Sequence, residues 1–588
     1  MFTVLIMVHF SSIKMEPSTI ALELVEKKEG SHMQLNEDTA QHANNGKGGL
    51  LSCLLILGTS LGLSIASGAW YSNLIVFLIS EFNVKNIRAA QINNIFSGLI
   101  NFFPFIAAIF ADCAFGSFFV TLISSIISLL GVVMFTFIVT IKSLKPPTCA
   151  LTSVCVPPTT MQYSVLYIAL TLASLGLGGT RFILATMGAD QLDKPKQQAS
   201  FFNWFVCVLY ISWIIGYTLF IYIQTSVSWA LSFAIALAAN VVAVILFLLG
   251  SRIYRKLPPQ GSPFTSIARV FVVAFRNMKV VKPTHGEDCY LHESEDAKLT
   301  SAAPTKSLRF LNRAALRKQG DNHIMDTTTK SWSQCTVEEV EDLKKLIKIM
   351  PLWSSSIFLS GAIGVIISFT VLMALVMDRR VGSDMNIPAG TFTVVTLIFT
   401  ALTSSTLDRI IYPTYKKITG KRLTYIQGIG LGHISNIFGA IGFALIERRR
   451  LKLVEIYHLT DQPNAMAPLS ALWLVFPLAI MGIGEGFYFS PEVALYYEEF
   501  PKSLRSTSTA MISLHIAAGY YLSTAFIDLV GRTSAWLPND INYGRIDNAC
   551  WVLAILTTLN FTYFLVCAIL YKPNNPDLSL NNGNNINV

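Results

Sequence analysis

Long apolar runs separated by short polar stretches dominate the chain from about residue 50 to residue 571. Twelve of them are 17 residues or longer, near 52–79, 93–112, 118–141, 163–188, 204–224, 227–250, 350–374, 391–407, 424–446, 468–491, 508–531 and 549–571. At about 1.5 Å of rise per residue, such runs can cross a hydrocarbon layer roughly 30 Å thick. No water is present there to satisfy backbone N–H and C=O groups, so each run must be helical. The pattern predicts an all-α membrane protein: six spans, a long hydrophilic loop, then six more.

Expected boundaries follow from that pattern. A polar, cytosolic N-terminal tail covers 1–50, a first six-helix half 51–250, a cytosolic central loop 251–349, a second half 350–571 and a cytosolic C-terminal tail 572–588. The first eight residues are mostly apolar but lack a basic start and a small-residue cleavage site, so no signal peptide is read. Composition turns polar at Met15, which marks it as an alternative start to Met1.

Composition agrees with a polytopic protein, at 52% hydrophobic and 13% charged residues with a mean hydropathy of +0.52. The net charge of +9 does not signal a nucleic-acid partner. The basic residues lie in loops between spans, where an anionic leaflet of the lipid bilayer explains them. The central loop is itself basic, with seventeen Lys/Arg against eleven Asp/Glu over 251–350. Within it Lys306 to Lys318 reads either as an amphipathic helix on the membrane surface or as a solvated linker. Thr336 to Lys348 has a capping threonine, early acids and late lysines, so a helix is expected to lead into the seventh span. One feature argues against cytosolic termini: Arg448, Arg449, Arg450 and Lys452 then fall outside, against the usual charge asymmetry.

Reactive chemistry is sparse. The nine cysteines form no CxxC pair and no Cys/His cluster at zinc spacing. No nucleophile or acid/base pair stands out, so neither an enzyme nor a cofactor is expected. Cys149 and Cys155 share one Pro-rich loop and are either a disulfide, if that loop faces outward, or two free thiols. The sequon at Asn560 lies inside a span and is discounted. Gly176, Gly178 and Gly179 follow no strand, so they are read as helix-packing residues rather than a phosphate loop. His433 and His515 are expected to pack between helices rather than shuttle protons, and Asp528 to be solvated.

The exception is Arg181, inside the otherwise uncharged stretch from Ser164 to Gly188. An arginine at that depth costs about 2.5–3.5 kcal/mol on insertion scales and usually faces a cavity. Two readings stand: an anion site, or a pairing with Asp190 or a backbone carbonyl that only locks two helices together.

Several strings carry a family resemblance. They are NFFPFIAAIFADCAFGSF from Asn101, GLGGTRFILATMGADQLD from Gly176, FFNWF from Phe201, MPLW from Met350 and GIGEGFYFSPEVALYYEEFPKSLRSTSTAM from Gly482. Their chain resembles the plant nitrate and peptide transporter family. Six plus six spans fit its major facilitator fold, two six-helix halves around a midplane site. The resemblance implies a carrier of small inorganic or organic anions with Arg181 at the family's basic fourth-span position. A guanidinium suits a planar oxyanion because its donors are bidentate and it stays charged.

Departures from the family pattern are equally informative. The first-span ExxE and basic positions are Ser60, Leu63 and Ser64, counted back from Asn73-Leu74, and the tenth-span acid is replaced by Ala494. Glu485 and Glu492 are near that position without matching it; Glu492 is taken as the acid facing the pathway, with Trp70, Tyr71 and Asn73 as further candidates. The histidine and phosphorylated threonine of the dual-affinity relative align with Ile363 and Val120, so neither carries over. Asp112 and Gly116 hold the latch loop, with Ser117 where relatives have a basic residue. Loss of the coupling acids resembles the nitrate-excretion subgroup. That implies outward movement of nitrate or chloride without proton coupling, at the plasma membrane or alternatively the vacuolar membrane. Two alternatives remain: transport of organic anions or glucosylated metabolites, and a non-transporting sensor.

Overall fold

The computed structural model describes residues 48–147, 156–257, 263–279, 290–291, 304–305, 307–316, 332, 334–382, 385–421, 423–460, 462, 465–500, 505–538 and 540–571. Cys149 and Cys155, the choice between Met1 and Met15 and the C-terminal tail lie outside the described residues.

In the first half, α1 (Leu50–Tyr71), α2 (Leu74–Ser80), α3 (Asn86–Phe110), α4 (Gly116–Thr140), α5 (Thr160–Arg181), α6 (Ile183–Ala189), α7 (Pro195–Ser226) and α8 (Trp229–Leu249) follow one another. After the loop helix α9 (Pro263–Arg276), the second half holds α10 (Val337–Leu375), α11 (Phe392–Thr406), the short α12 (Tyr412–Thr419), α13 (Tyr425–Ile456), α14 (Val475–Glu499), α15 (Arg505–Thr533) and α16 (Ile546–Leu570). Among the described residues, eleven apolar helical stretches are long enough to cross a membrane, one of them the 55-residue run Asn86–Thr140. That run is about twice a bilayer crossing. It turns back at Gly116, whose φ of 74° suits glycine and strains other residues, and so supplies α3 and α4. Four two- to four-residue strands decorate loops of the second half, β1 (Met377–Asp378) beside β4 (Ala467–Ser470) and β2 (Arg380–Val381) beside β3 (Met385–Asn386).

Two expected spans are interrupted. The first breaks between α1 and α2, where Ser72 Oγ donates to Gly68 O at 2.6 Å and Asn73 leaves helical geometry. The fourth breaks at Phe182, directly after Arg181. Both breaks border the central cavity described below.

Small residues let helices approach closely. A Cβ on Gly176 of α5 would lie 2.4 Å from the Ser128 backbone, and one on Gly179 would lie 2.2 Å from Ser124 Oγ. The halves meet where α3 packs on α15 and α7 on α11. At one end of that seam Ser368 Oγ of α10 donates to Asn94 Oδ1 of α3 at 2.7 Å. A Cβ on Gly390 would sit 2.7 Å from Asn73 Oδ1, so the start of the α11 segment nearly touches the α1–α2 break.

The central loop differs from both readings of 306–318. Its described part forms a 3-10 turn, Leu311–Ala315, with Leu311, Ala314 and Ala315 buried against α9 and the start of α10. This small core includes Val270, Val273, Cys335, Val340 and Leu343. Of the segment's basic residues, the described Arg309 and Arg313 lie at the rim of this packed module. Arg269 bonds Glu339, and buried Lys344 donates to Thr305 O at 2.9 Å while pairing with Glu341 at 2.6 Å. Thr336 and Glu339 form a capping box, so α10 runs unbroken from the loop into the membrane. Burial, with Glu339 beside it, pushes the Cys335 thiol up to about 11, which makes it an inert packing residue.

The basic cluster that contradicted the orientation is only partly a loop charge. Helix α13 extends through it to Ile456. Arg450 is fully buried there, with Nε and Nη2 on Glu447 at 2.8 and 2.7 Å and Nη1 on Asn542 at 2.6 Å. Arg449 stacks over Trp473 at 5.5 Å. Arg450 is thus neutralised by its own helix and does not count toward the charge of that face.

Candidate functional site

Between the halves lies a cavity of about 250 Å³. The first half contributes Tyr71 and Asn73 from the broken first span, Asn93, Ser97 and Asn101 from α3, Arg181 from α5, and Tyr210, Trp213 and Tyr217 from α7. The second half contributes Ser360 and Ile363 from α10, Thr396 and Thr400 from α11, Glu485 and Tyr488 from α14, and Tyr520 from α15. The walls are thus aromatic and amide-rich, with Arg181 and Glu485 as the residues of formal charge lining it.

Arg181 is the last residue of α5, one residue before α6 begins, and its side chain lines the cavity between the halves. Its carbon lies 4.4 Å from the centre of the Trp213 ring and 5.3 Å from that of Phe182. Such stacking holds the planar cation without consuming its in-plane donors. The buried Nε has no hydrogen-bond partner, and among the described residues no ion pair reaches the side chain. The pairing with Asp190 is therefore not what the structure shows. Asp190 lies past the end of α6, where burial outweighs nearby Arg255 and pushes its carboxyl up to about 6.

Ser60, Leu63 and Ser64 line a second void of about 10 Å³ together with Thr180, Arg181 and Trp213. The first-span positions that hold acids and a base in relatives thus come up against Arg181. Here they present hydroxyls and a methyl-bearing chain, with room for about one water.

The remaining candidates divide. Tyr71 lines the cavity and its OH donates to Ser97 Oγ at 3.2 Å. Asn73 lines it too, donating to Gln224 at 3.2 Å while its Oδ1 has no partner. Trp70 does not; it faces the first-half core and stacks on Phe135 at 6.2 Å. Glu492 is also corrected, because it lies two helical turns past the cavity-lining Glu485 and is sealed among α10, α14 and α15. Ser356 and Tyr496 donate to its Oε1 at 2.6 and 2.8 Å, and His515 Nε2 lies 3.1 Å from Oε2. The acid facing the cavity is Glu485, whose Oε2 accepts from Thr400 at 3.1 Å. Ala494 is partly buried and not among the lining residues.

His515 is satisfied as expected, whereas His433 packs flat on Phe564 at 4.6 Å with neither ring nitrogen bonded. Asp528 pairs with Arg532 at 2.8 Å on the surface. Asn560 is buried and donates to Ser355 O at 3.0 Å, which agrees with discounting its sequon.

Residues 118–542 match the profile of the POT family. The chain belongs to the POT family. Its match spans most of this POT chain and both halves around the cavity. The Arabidopsis thaliana protein NRT1/PTR FAMILY 2.7 is 46% identical over 529 residues, covering 90% of this chain and 93% of that one. NRT1/PTR FAMILY 2.3 is also 46% identical, over 532 residues, and NRT1/PTR FAMILY 3.1 from the same plant is 31% identical over 564. An auto-inhibited POT family peptide transporter of solved structure superposes with a TM-score of 0.64 at 15% identity, covering 90% of this chain and all of that one. PepTSo, another POT transporter, gives 0.62. This POT protein is accordingly a multi-pass membrane transporter of the plant NRT1/PTR group with the fold of two helical halves.

Proposed function

We propose that the protein moves nitrate, with chloride as a companion substrate, by alternating access and without stoichiometric proton coupling. The observation that carries this reading is the Arg181 guanidinium, stacked on Trp213 and free of any carboxylate partner among the described residues, beside Ser60, Leu63 and Ser64. Flat on an indole, the guanidinium offers in-plane N–H donors to a planar oxyanion. The first-helix groups beside it neither gain nor lose a proton at cellular pH, so none of them masks and releases the cation.

An uncoupled anion carrier follows the membrane potential. At inside-negative potential a single negative charge gains about 2.3 kcal/mol per 100 mV on leaving the cell. The reading therefore favours export at the plasma membrane. Glu485 is the carboxylate against which the uncoupled mechanism must be judged, since it shares the cavity with Arg181.

The decisive experiment measures labelled nitrate flux in proteoliposomes with potential and proton gradient set independently. Net nitrate accumulation is expected to follow the potential, and an imposed proton gradient is expected to drive none, in the wild type and in Glu485→Gln. Gradient-driven uptake abolished by Glu485→Gln would overturn the uncoupled mechanism. Arg181→Ala is expected to reduce flux by about tenfold or more, equivalent to about 1.4 kcal/mol, and Arg181→Lys to recover only part, since an ammonium lacks the planar fork. Full flux in Arg181→Ala would remove the residue from the mechanism.

The size of the cavity favours a second reading. About 250 Å³ walled by Tyr71, Tyr210, Trp213, Tyr217 and Tyr520 exceeds what a four-atom anion fills. Aromatic walls with a few convergent polar groups suit an organic anion. Inhibition of nitrate flux by aromatic carboxylates, with counterflow of the carboxylate itself, would establish it.

A further inference from the structure

We infer that His515 and Glu492 form a proton-binding site whose occupancy is read in the transport cavity through Tyr488 and Ser360 and sets the rate of turnover. The inference rests on this chain being a carrier and not on which anion it carries.

The pair is sealed in the second half. Both side chains are at most 1% exposed, and His515 Nε2 lies 3.1 Å from Glu492 Oε2. Glu492 also accepts from Ser356 Oγ at 2.6 Å and Tyr496 OH at 2.8 Å. Donors thus occupy both carboxylate oxygens, which leaves the second ring nitrogen of His515 as the open position for a proton. His515 is then the group that gains and loses the proton.

The route to the cavity lies on the other ring nitrogen. With Nε2–H donated to Glu492, Nδ1 is an acceptor facing Ser360 Oγ at 3.4 Å, while the Tyr488 OH stands 3.4 Å from both ring nitrogens. Both of these residues line the cavity. When a proton from the cavity adds to Nδ1, the ring becomes a donor on both sides. The Tyr488 and Ser360 hydroxyls must then accept where they had donated, and their own protons turn toward the cavity. The buried pair changes from one net negative charge to a neutral ion pair, which is the form a low-dielectric interior favours. Because α10 supplies Ser360, α14 supplies Tyr488 and Glu492, and α15 supplies His515, the same step tightens three helices of one half against each other.

Few other charges face the pair. From α14 they are Tyr488 and Tyr496, and from α13 His433, whose ring lies 6.4 Å from that of Tyr488. Helix α10 presents Ser356, Ser360 and Trp353. The Trp353 ring stands edge-on to His515, with centroids 6.5 Å apart, and its Nε1 donates to Met511 O at 2.9 Å.

That tryptophan supplies a direct reporter, because an imidazolium quenches a neighbouring indole and a neutral imidazole does so far less. Purified full-length protein in nanodiscs is titrated from pH 5 to 8 by tryptophan fluorescence. A single transition, dimmer on the acid side, is expected in the wild type. It is expected to vanish in His515→Gln and in Trp353→Phe, to shift to lower pH in Glu492→Gln, and to persist in Tyr488→Phe. In parallel, labelled nitrate flux is measured with equal pH on both sides, so no proton gradient exists. It is expected to change several-fold across the same transition in the wild type and to be flat in Tyr488→Phe. A wild-type signal without a transition, or one that survives in His515→Gln, overturns the proton site. A transition whose pH matches no change in flux, or a flux profile unaltered in Tyr488→Phe, overturns the relay to the cavity. Zero nitrate flux at every pH defeats the nitrate reading alone, since the fluorescence still decides the site.

Discussion

Arg450 shows how far the meaning of one residue depends on its surroundings. Residue type and neighbours place it in a basic loop, yet the side chain is sealed and held by Glu447 and Asn542. Removing one partner leaves an uncompensated buried charge, typically worth 3–5 kcal/mol. Glu447→Gln is expected to lower the thermal midpoint of the detergent-solubilised protein by several degrees, whereas Arg448→Gln on the same helix leaves it unchanged. Asp190 gives a signed pH effect. Its folded carboxyl titrates near 6, above the ordinary range near 3.9. Between those values the folded form holds a proton that the unfolded chain has released, so this contribution to stability declines as pH rises from about 4 to 6. Two units correspond to about 3 kcal/mol, which partial exposure reduces to about 1–2 kcal/mol. Asp190→Asn is therefore expected to raise the melting midpoint at pH 7.5 and to narrow its difference from the midpoint at pH 5. At this scale the sequence marks Arg181 well, because a lone cation in an apolar run must face something polar. It does not separate Glu485 from Glu492, or Tyr71 from Trp70. Those choices depend on helix rotation, which is fixed by the neighbours each face meets rather than by residue type. The rule that singled out Arg181 applies equally to Glu485, so that acid was within reach of the same argument.

Helices were legible because length and apolarity alone require them, and their interiors show why small residues were spent at particular points. Gly176 and Gly179 let α4 and α5 meet with almost no space between backbones. Gly176→Val is expected to push these helices apart and cost at least about 1–3 kcal/mol, the usual range for overpacking; monodispersity on size exclusion and the melting midpoint check it. Gly531, where a Cβ meets nothing, is the control expected to tolerate alanine. The interruptions at Asn73 and Phe182 were not legible. Neither carries a proline, and each is marked only by a short polar pair, Ser72-Asn73 and Thr180-Arg181, inside a long apolar run. They exist because the cavity takes the polar groups that a straight helix would have buried. The loop module around Leu311 was missed for a related reason: its apolar residues are too few to show a period, and they form a core only with α9 and α10.

Among the described residues, the two halves enclose the central cavity, which narrows where α2, α3, α10 and the segment before α11 converge. Six-plus-six organisation was evident from the spacing of apolar runs, but which ends of the halves touch was not, because that depends on the state the carrier occupies. The described contacts at the narrow end are uncharged: an asparagine and serine at 2.7 Å, and a glycine against an asparagine. Salt weakens attraction between charges over a Debye length of about 8 Å under physiological conditions, but leaves short amide and hydroxyl bonds essentially untouched. Opening at this end should therefore be blind to ionic strength. Nitrate exchange at fixed potential is expected to hold a constant maximal rate when potassium gluconate is raised from about 10 mM to about 300 mM, a range over which the Debye length falls severalfold. A membrane bathed in dilute or in saline water would keep the same door at this end in both.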